Sequence, residues 1–304
     1  MTWIIFSILP PFLWAVTNYV DKYLIEKYFK KSQGAPLMLL IVSCGLVFLP
    51  FIYFFSHESL SLSSTSLLIV LASSLLSAVS WILYARALSN NNVSVIIPLF
   101  QLMPIFNYFL GLIFLGEHLG LMQMIASVII ILGSVLISLE LSDQKIKFKK
   151  GVILPMLLTT LFSSINVLLI KYLMLENNFW SINFWNYLFF GLVSITLLIV
   201  VKKWREEVRV AFKTNFAKIS GTCFINEILD FGATMIYRYA MLLAPIALVS
   251  VLSNGFQPVF ALIIGLILHL ILPRFSHEKF TRIELIQRTI AVIIIFIGTF
   301  LINK

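Results

Sequence analysis

Four residues of one stretch, Glu227, Asp230, Thr234 and Arg238, follow each other at spacings of three, four and four. That spacing puts all four on one face of an α-helix, with Asn226 and Tyr237 flanking the stripe. The surrounding segment is otherwise apolar, and Asp230 falls near its middle. An ionisable side chain inside lipid is expensive, so it needs a partner or a water-filled cavity. Two carboxyls and a guanidinium in one stripe suit the binding of a cationic or zwitterionic group, or the exchange of a proton. The competing reading is an ion pair to Lys171 or Arg86 that only fixes packing.

Other polar residues recur inside apolar segments. Trp14, Asn18 and Asp21 share one helical face and are followed by Lys22. Thr159, Ser163, Asn166 and Lys171 form a second such series, and both series end in Lys-Tyr-Leu, at Lys22–Leu24 and Lys171–Leu173. These are read as gating groups at a cavity mouth, against lysines that snorkel to the interface. Ser77, Trp81 and Tyr84 share a face whose rings could stack on a flat or greasy ligand, or simply pack. Gln101, Asn107, Asn254 and Gln257 are read as cavity hydrogen-bonders or as bridges between helices. Glu117 is expected to cap the helix that follows it, and Pro98, Pro104 and Pro258 to kink theirs.

The helices that must position these groups follow from composition. The chain has 304 residues, 60% hydrophobic and only 12% charged, with mean hydropathy +1.01. A soluble domain carries about 25% charged residues. Runs of about 20 apolar residues span the hydrocarbon core as helices. The runs predict ten helices, over 3–24, 36–56, 66–88, 93–116, 120–140, 151–173, 181–201, 216–242, 245–272 and 284–302. They leave no room for a soluble domain. The first segment lacks a basic leader and contains Pro10 and Pro11, so it is not read as a cleavable signal. Cys44 and Cys223 both fall inside helices and are read as packing residues.

Basic residues alternate by loop. Nineteen of the 22 Lys and Arg lie in the odd-numbered connections, and the exceptions are Lys171, Arg238 and Lys304. The positive-inside rule places those connections in the cytoplasm and both termini outside it. The net charge of +9 is thereby read as basic loops on an anionic leaflet, not as nucleic-acid binding. With five helices per half, the basic loops are first and third in one half and second and fourth in the other. That phase reversal predicts inverted halves, residues 1–142 and 151–304, joined by a basic linker 143–150. Local matches agree: Met103-Pro104-Ile105-Phe106 resembles Gln257-Pro258-Val259-Phe260, each Pro is followed seven residues later by Gly111 or Gly265, and Ala126/Gly133 parallels Ala291/Gly298. The second half is longer by about eleven residues, placed around Pro273–Thr281.

Leu115-Gly116-Glu117-His118-Leu119, with Gln123, Ala126 and Gly133, resembles the signature that closes the EamA repeat of the drug/metabolite transporter superfamily. Pro11-Phe12-Leu13-Trp14-Ala15 with Asn18 resembles the opening of that repeat. The resemblance implies an all-α, ten-helix secondary transporter of two inverted five-helix repeats, with a central cavity lined by spans 1, 3, 4, 6, 8 and 9. Two departures stand out. Leu270 and Ile271 occupy the positions of Gly116 and Glu117 in the second half, and both termini are predicted outside where members usually keep them inside.

The expected function is alternating-access transport of a small polar or amphipathic metabolite in a bacterial cytoplasmic membrane, by a monomer or homodimer. The alternative is a flippase for a lipid or lipid-linked head group. An enzyme is not expected, since no cluster of His, Asp or Ser gathers at one membrane face. His57, His118, His269 and His277 lack metal-ligand spacing and no phosphate-binding Gly-rich loop is present, so neither metal nor cofactor is expected.

Overall fold

The computed structural model describes residues 2–56, 60–91, 93–138, 152–271 and 282–302. The linker 143–150, the insertion at 273–281, His57 and His277 lie outside the described residues. All regular elements among those described are helical. In order they are α1 (Thr2–Tyr28), α2 (Ala35–Cys44), α3 (Leu49–Ser56), α4 (Ser64–Asn90), α5 (Val93–Ile96), α6 (Leu102–Leu115), α7 (Leu121–Ser138), α8 (Ile153–Glu176), α9 (Phe179–Val200), α10 (Lys202–Leu243), α11 (Ile246–Ile271) and α12 (Arg282–Leu301).

Six helices are long and apolar enough to cross a membrane by length and composition, and three shorter apolar ones accompany them. Burial runs opposite to that of a water-soluble protein. Ser73, Ser74, Asn107, Thr160 and Ser164 are fully buried, while Leu121 is 71% and Ile113 69% exposed. Many of the inward hydroxyls donate to the carbonyl four residues back, as Ser74 does to Val70 and Thr160 to Met156. Such bonds satisfy polar groups where water is absent.

Two of the predicted spans are broken. The second is interrupted by a 3-10 turn at Gly45–Phe48 between α2 and α3, and the fourth by one at Ile97–Gln101 between α5 and α6. Pro98, which offers no N–H to the ladder, sits in the second break. At Pro258, where a kink is expected, α11 continues without a break in its helical assignment. The connection before the eighth span is itself helical: α10 starts at Lys202 and departs from helical geometry only at Asn215 (φ −143°, ψ 34°).

Contacts give the directions of the central helices. Residues 6, 14 and 21 of α1 meet 239, 230 and 226 of α10, so these two are antiparallel. Residues 73 and 80 of α4 meet 166 and 163 of α8, also antiparallel. Asn18 and Lys22 of α1 reach Tyr84 and Leu88 of α4, so those two run parallel. At the edge of the bundle α7 packs closely on α12. A methyl group on Gly133 would lie 2.8 Å from Ile295 Cγ1 and 3.1 Å from the Ala291 carbonyl. One on Gly298 would lie 2.6 Å from Ile130 Cγ1 and 3.1 Å from the Ala126 carbonyl.

Candidate binding cavity

The stripe on α10 is divided among different partners. Asp230 accepts through Oδ1 from Trp14 Nε1 at 3.1 Å and through Oδ2 from Thr234 Oγ1 at 3.5 Å. Arg238 turns towards α9 and donates from Nη1 to Asn183 Oδ1 and from Nη2 to Asn186 Oδ1, both at 2.6 Å. Its guanidinium lies 5.9 Å from the Tyr187 ring centroid, within cation–π range. Glu227 is 3% exposed and has no hydrogen-bond or ion-pair partner among the described residues. Its carboxylate lies against the backbone of Gly45, where a methyl group would approach Oε1 to 2.6 Å. The missing side chain at Gly45 is what leaves room for it.

Asp21 completes the acidic group. Its Oδ1 accepts from Asn226 Nδ2 at 2.8 Å, and the Tyr84 hydroxyl is shared between Asn18 Oδ1 at 2.9 Å and Asp21 Oδ2 at 3.4 Å. Among the described residues the ion pairs are Lys22–Glu26, Lys171–Glu117 and Lys202–Glu206. None involves Asp21, Glu227 or Asp230, so the packing ion pair to Lys171 or Arg86 is not formed. No group of three or more His, Cys, Asp or Glu among the described residues is placed to hold a metal ion.

These side chains converge on a cavity of about 230 Å³. Of the residues picked out from sequence, Trp14, Asn18, Trp81, Tyr84, Asn166, Glu227, Asp230, Thr234, Arg238, Asn254 and Gln257 line it. Asp21 lies behind this wall, in a second space of about 10 Å³ shared with Thr17, Asn226, Glu227 and Asp230.

Three of the expected residues sit elsewhere. Gln101 is buried and donates to the Asn254 carbonyl at 2.6 Å, a bridge between the fourth and ninth spans. Asn107 is fully buried outside the cavity, with no partner for its amide among the described residues. Lys171 is occupied at the end of α8. The sequence reading also missed α9, which contributes Asn186, Tyr187 and Phe190 to the lining. Asn183, Asn186 and Tyr187 repeat at three and four residues, a polar stripe in an apolar helix that could have drawn attention to this span.

The opposite wall is uncharged. Asn166 Nδ2 on α8 lies 2.8 Å from Ser73 Oγ and 2.6 Å from Ser77 Oγ. The Ser80 and Ser163 hydroxyls are 2.7 Å apart.

Two lysine ties lie at opposite ends of this pair of walls. Lys22 on α1 donates to the Leu88 and Asn91 carbonyls at the end of α4, each at 2.8 Å. Lys171 on α8 donates to the Ala244 carbonyl at the end of α10, at 2.8 Å, and to Glu117 Oε1. In both cases an ammonium meets the orphan carbonyls and negative dipole of a helix C-terminus. Glu117 does not cap the following helix as expected. Gly116 adopts φ 65°, and the chain reverses so that Glu117 Oε2 accepts from Ile246 N at 2.8 Å, at the start of α11. The start of α7 is served instead by Gln123 Oε1, which accepts from Gly120 N at 3.0 Å.

Apolar helices long enough to span a bilayer, around a polar internal cavity, are those of an integral membrane protein. Residues 1–139 match the EamA-like transporter family. That match covers a little under half of the chain. A solved crystal structure, described only as that of a protein, is similar over 97% of this chain and 95% of its own, with TM-score 0.56 and 15% identity; that likeness is one of fold alone. No curated protein matches the chain significantly.

Proposed function

We propose that this protein is a secondary transporter that moves a small polar or amphipathic metabolite across a cytoplasmic membrane by alternating access. The observation that carries the reading is the cavity: ionisable and amide side chains of α1, α10 and α11, far apart in sequence, meet around one space. Polar groups buried in lipid at this density are expensive, and transport explains their presence.

An inverted repeat of residues 1–142 and 151–304 supports the mechanism. If α1 corresponds to α8 and α4 to α10, the antiparallel contacts α1–α10 and α4–α8 are the same contact made twice. The Ala126–Gly298 and Gly133–Ala291 approaches are likewise reciprocal, both at 3.1 Å. So are the Lys22 and Lys171 ties. α1 and α4 run opposite to α8 and α10, as inversion requires. Inverted repeats place the substrate near the midplane and let one bundle rock against the other. The lysine ties are then the contacts that exchange as the cavity opens to one side or the other. Both termini face away from the cytoplasm in this reading, which a C-terminal reporter active only in the cytoplasm should confirm by staying silent.

Transport itself is the test. A thermal-shift screen against metabolites finds ligands that stabilise the native state. A hit loaded inside proteoliposomes should accelerate uptake of the labelled compound from outside. Uptake indifferent to the internal pool would contradict alternating access.

A further inference from the structure

The charges around the cavity identify the chemistry of its occupant, taking the transport reading as the starting point. Glu227 is a buried residue whose side chain lines the cavity and makes no hydrogen bond or ion pair among the described residues. Asp230 stands one helical turn further along, held by neutral donors only. The cation on this stripe, Arg238, has both terminal nitrogens engaged by Asn183 and Asn186. Lys22 and Lys171 serve helix ends away from the lining. The cavity thus presents two carboxyl groups, neither in an ion pair, against one guanidinium that is bonded to two amide oxygens and attracts Asp230 through space. A carboxylate buried without a partner is unfavourable, and a cation entering beside it relieves that cost.

Aromatic side chains share the lining with these charges. Trp14, Trp81, Tyr84, Phe100 and Tyr187 line the same space, and aromatic faces attract cations as well as apolar bodies. The volume of about 230 Å³ lies below the roughly 300–1,000 Å³ of sites for drug-sized ligands, which limits the ligand to a small one.

We propose that the cavity selects a small organic cation, a protonated amine or quaternary ammonium on an aromatic or apolar body, with its charged group held by Glu227 and Asp230. An anion would meet two carboxyl groups. A zwitterion's carboxylate would find only Arg238, which is already bonded to two amide oxygens and whose charge also acts on Asp230.

Three probes share one aromatic body and differ in charge: phenethylamine, phenylalanine and phenylacetate. Titration calorimetry on the purified protein should show phenethylamine binding at least about tenfold tighter than either of the others. Equal or tighter binding of phenylalanine or phenylacetate, or no binding of phenethylamine, overturns the proposal. Glu227→Gln, which keeps the side-chain shape, should weaken phenethylamine by roughly 30-fold or more; unchanged affinity overturns it. Gly45→Ala keeps every charge but displaces the Glu227 carboxylate, so it too should weaken phenethylamine, and wild-type affinity there counts against the geometry. Flux separates this proposal from the one beneath it. Counterflow of phenylalanine or phenylacetate but not phenethylamine leaves transport standing and removes the cation. Tight binding of phenethylamine without counterflow of any probe keeps the cation site and removes transport.

Discussion

The α1–α10 seam and the α4–α8 seam flank the same cavity, and each is an antiparallel helix pair. Their wiring differs. The α4–α8 seam is closed by hydroxyls and an amide that satisfy one another, through Asn166 with Ser73 and Ser77, and Ser80 with Ser163. The α1–α10 seam carries Asp21, Glu227 and Asp230, which form no ion pair among the described residues and whose hydrogen bonds come from neutral donors. A neutral network in the membrane interior can be complete by itself. An acidic group without a cation is incomplete, and its incompleteness is the feature a ligand or proton can use. One seam is read as the structural hinge wall, the other as the working wall.

Placing a charge on the neutral seam should have the largest effect on folding. Asn166→Asp puts a carboxyl where its partners expect an amide donor, and about 2.5–3.5 kcal/mol of destabilisation is expected, read as lower heat resistance in detergent. Arg238→Leu strands the Asn183 and Asn186 oxygens; the loss of its charge-assisted bonds should lower stability by about 1.5–3 kcal/mol, measured the same way. Asn166→Ala removes neutral interhelical bonds and should cost about 1–2 kcal/mol while leaving ligand affinity in place. If affinity collapses with it, the division between the two seams is wrong. Ser80→Ala is the mildest: about 0.6 kcal/mol, with flux per folded molecule unchanged.

The helices were legible because apolar runs of this length have one stable form in lipid. The α10 stripe was legible for the opposite reason, since Glu227, Asp230 and Arg238 interrupt a run that should not contain them. What escaped was long-range. Asn183 and Asn186 form a visible polar stripe in α9, but nothing local ties it to Arg238, 55 and 52 residues away. Glu117 looks like a local cap in sequence, but the left-handed Gly116 turns it towards α11 and Lys171. Lys171 is thereby removed from the cavity. The break at Gly45 carries no proline to announce it, unlike the one at Pro98. The helical start of α10 was read as a loop because its charges hide a buried face, formed by Glu207 and Ala211, that repeats after four residues.

The central claim is that the acidic seam does the transporting and the neutral seam holds the shape. Counterflow of one ligand through proteoliposomes bearing Asp230→Asn or Asn166→Ala, each normalised to folded protein, compares the two directly. The account predicts that Asp230→Asn inserts and folds but loses flux by roughly 30-fold or more, while Asn166→Ala keeps a flux near that of the native chain. Native flux and native pH dependence in Asp230→Asn would contradict it.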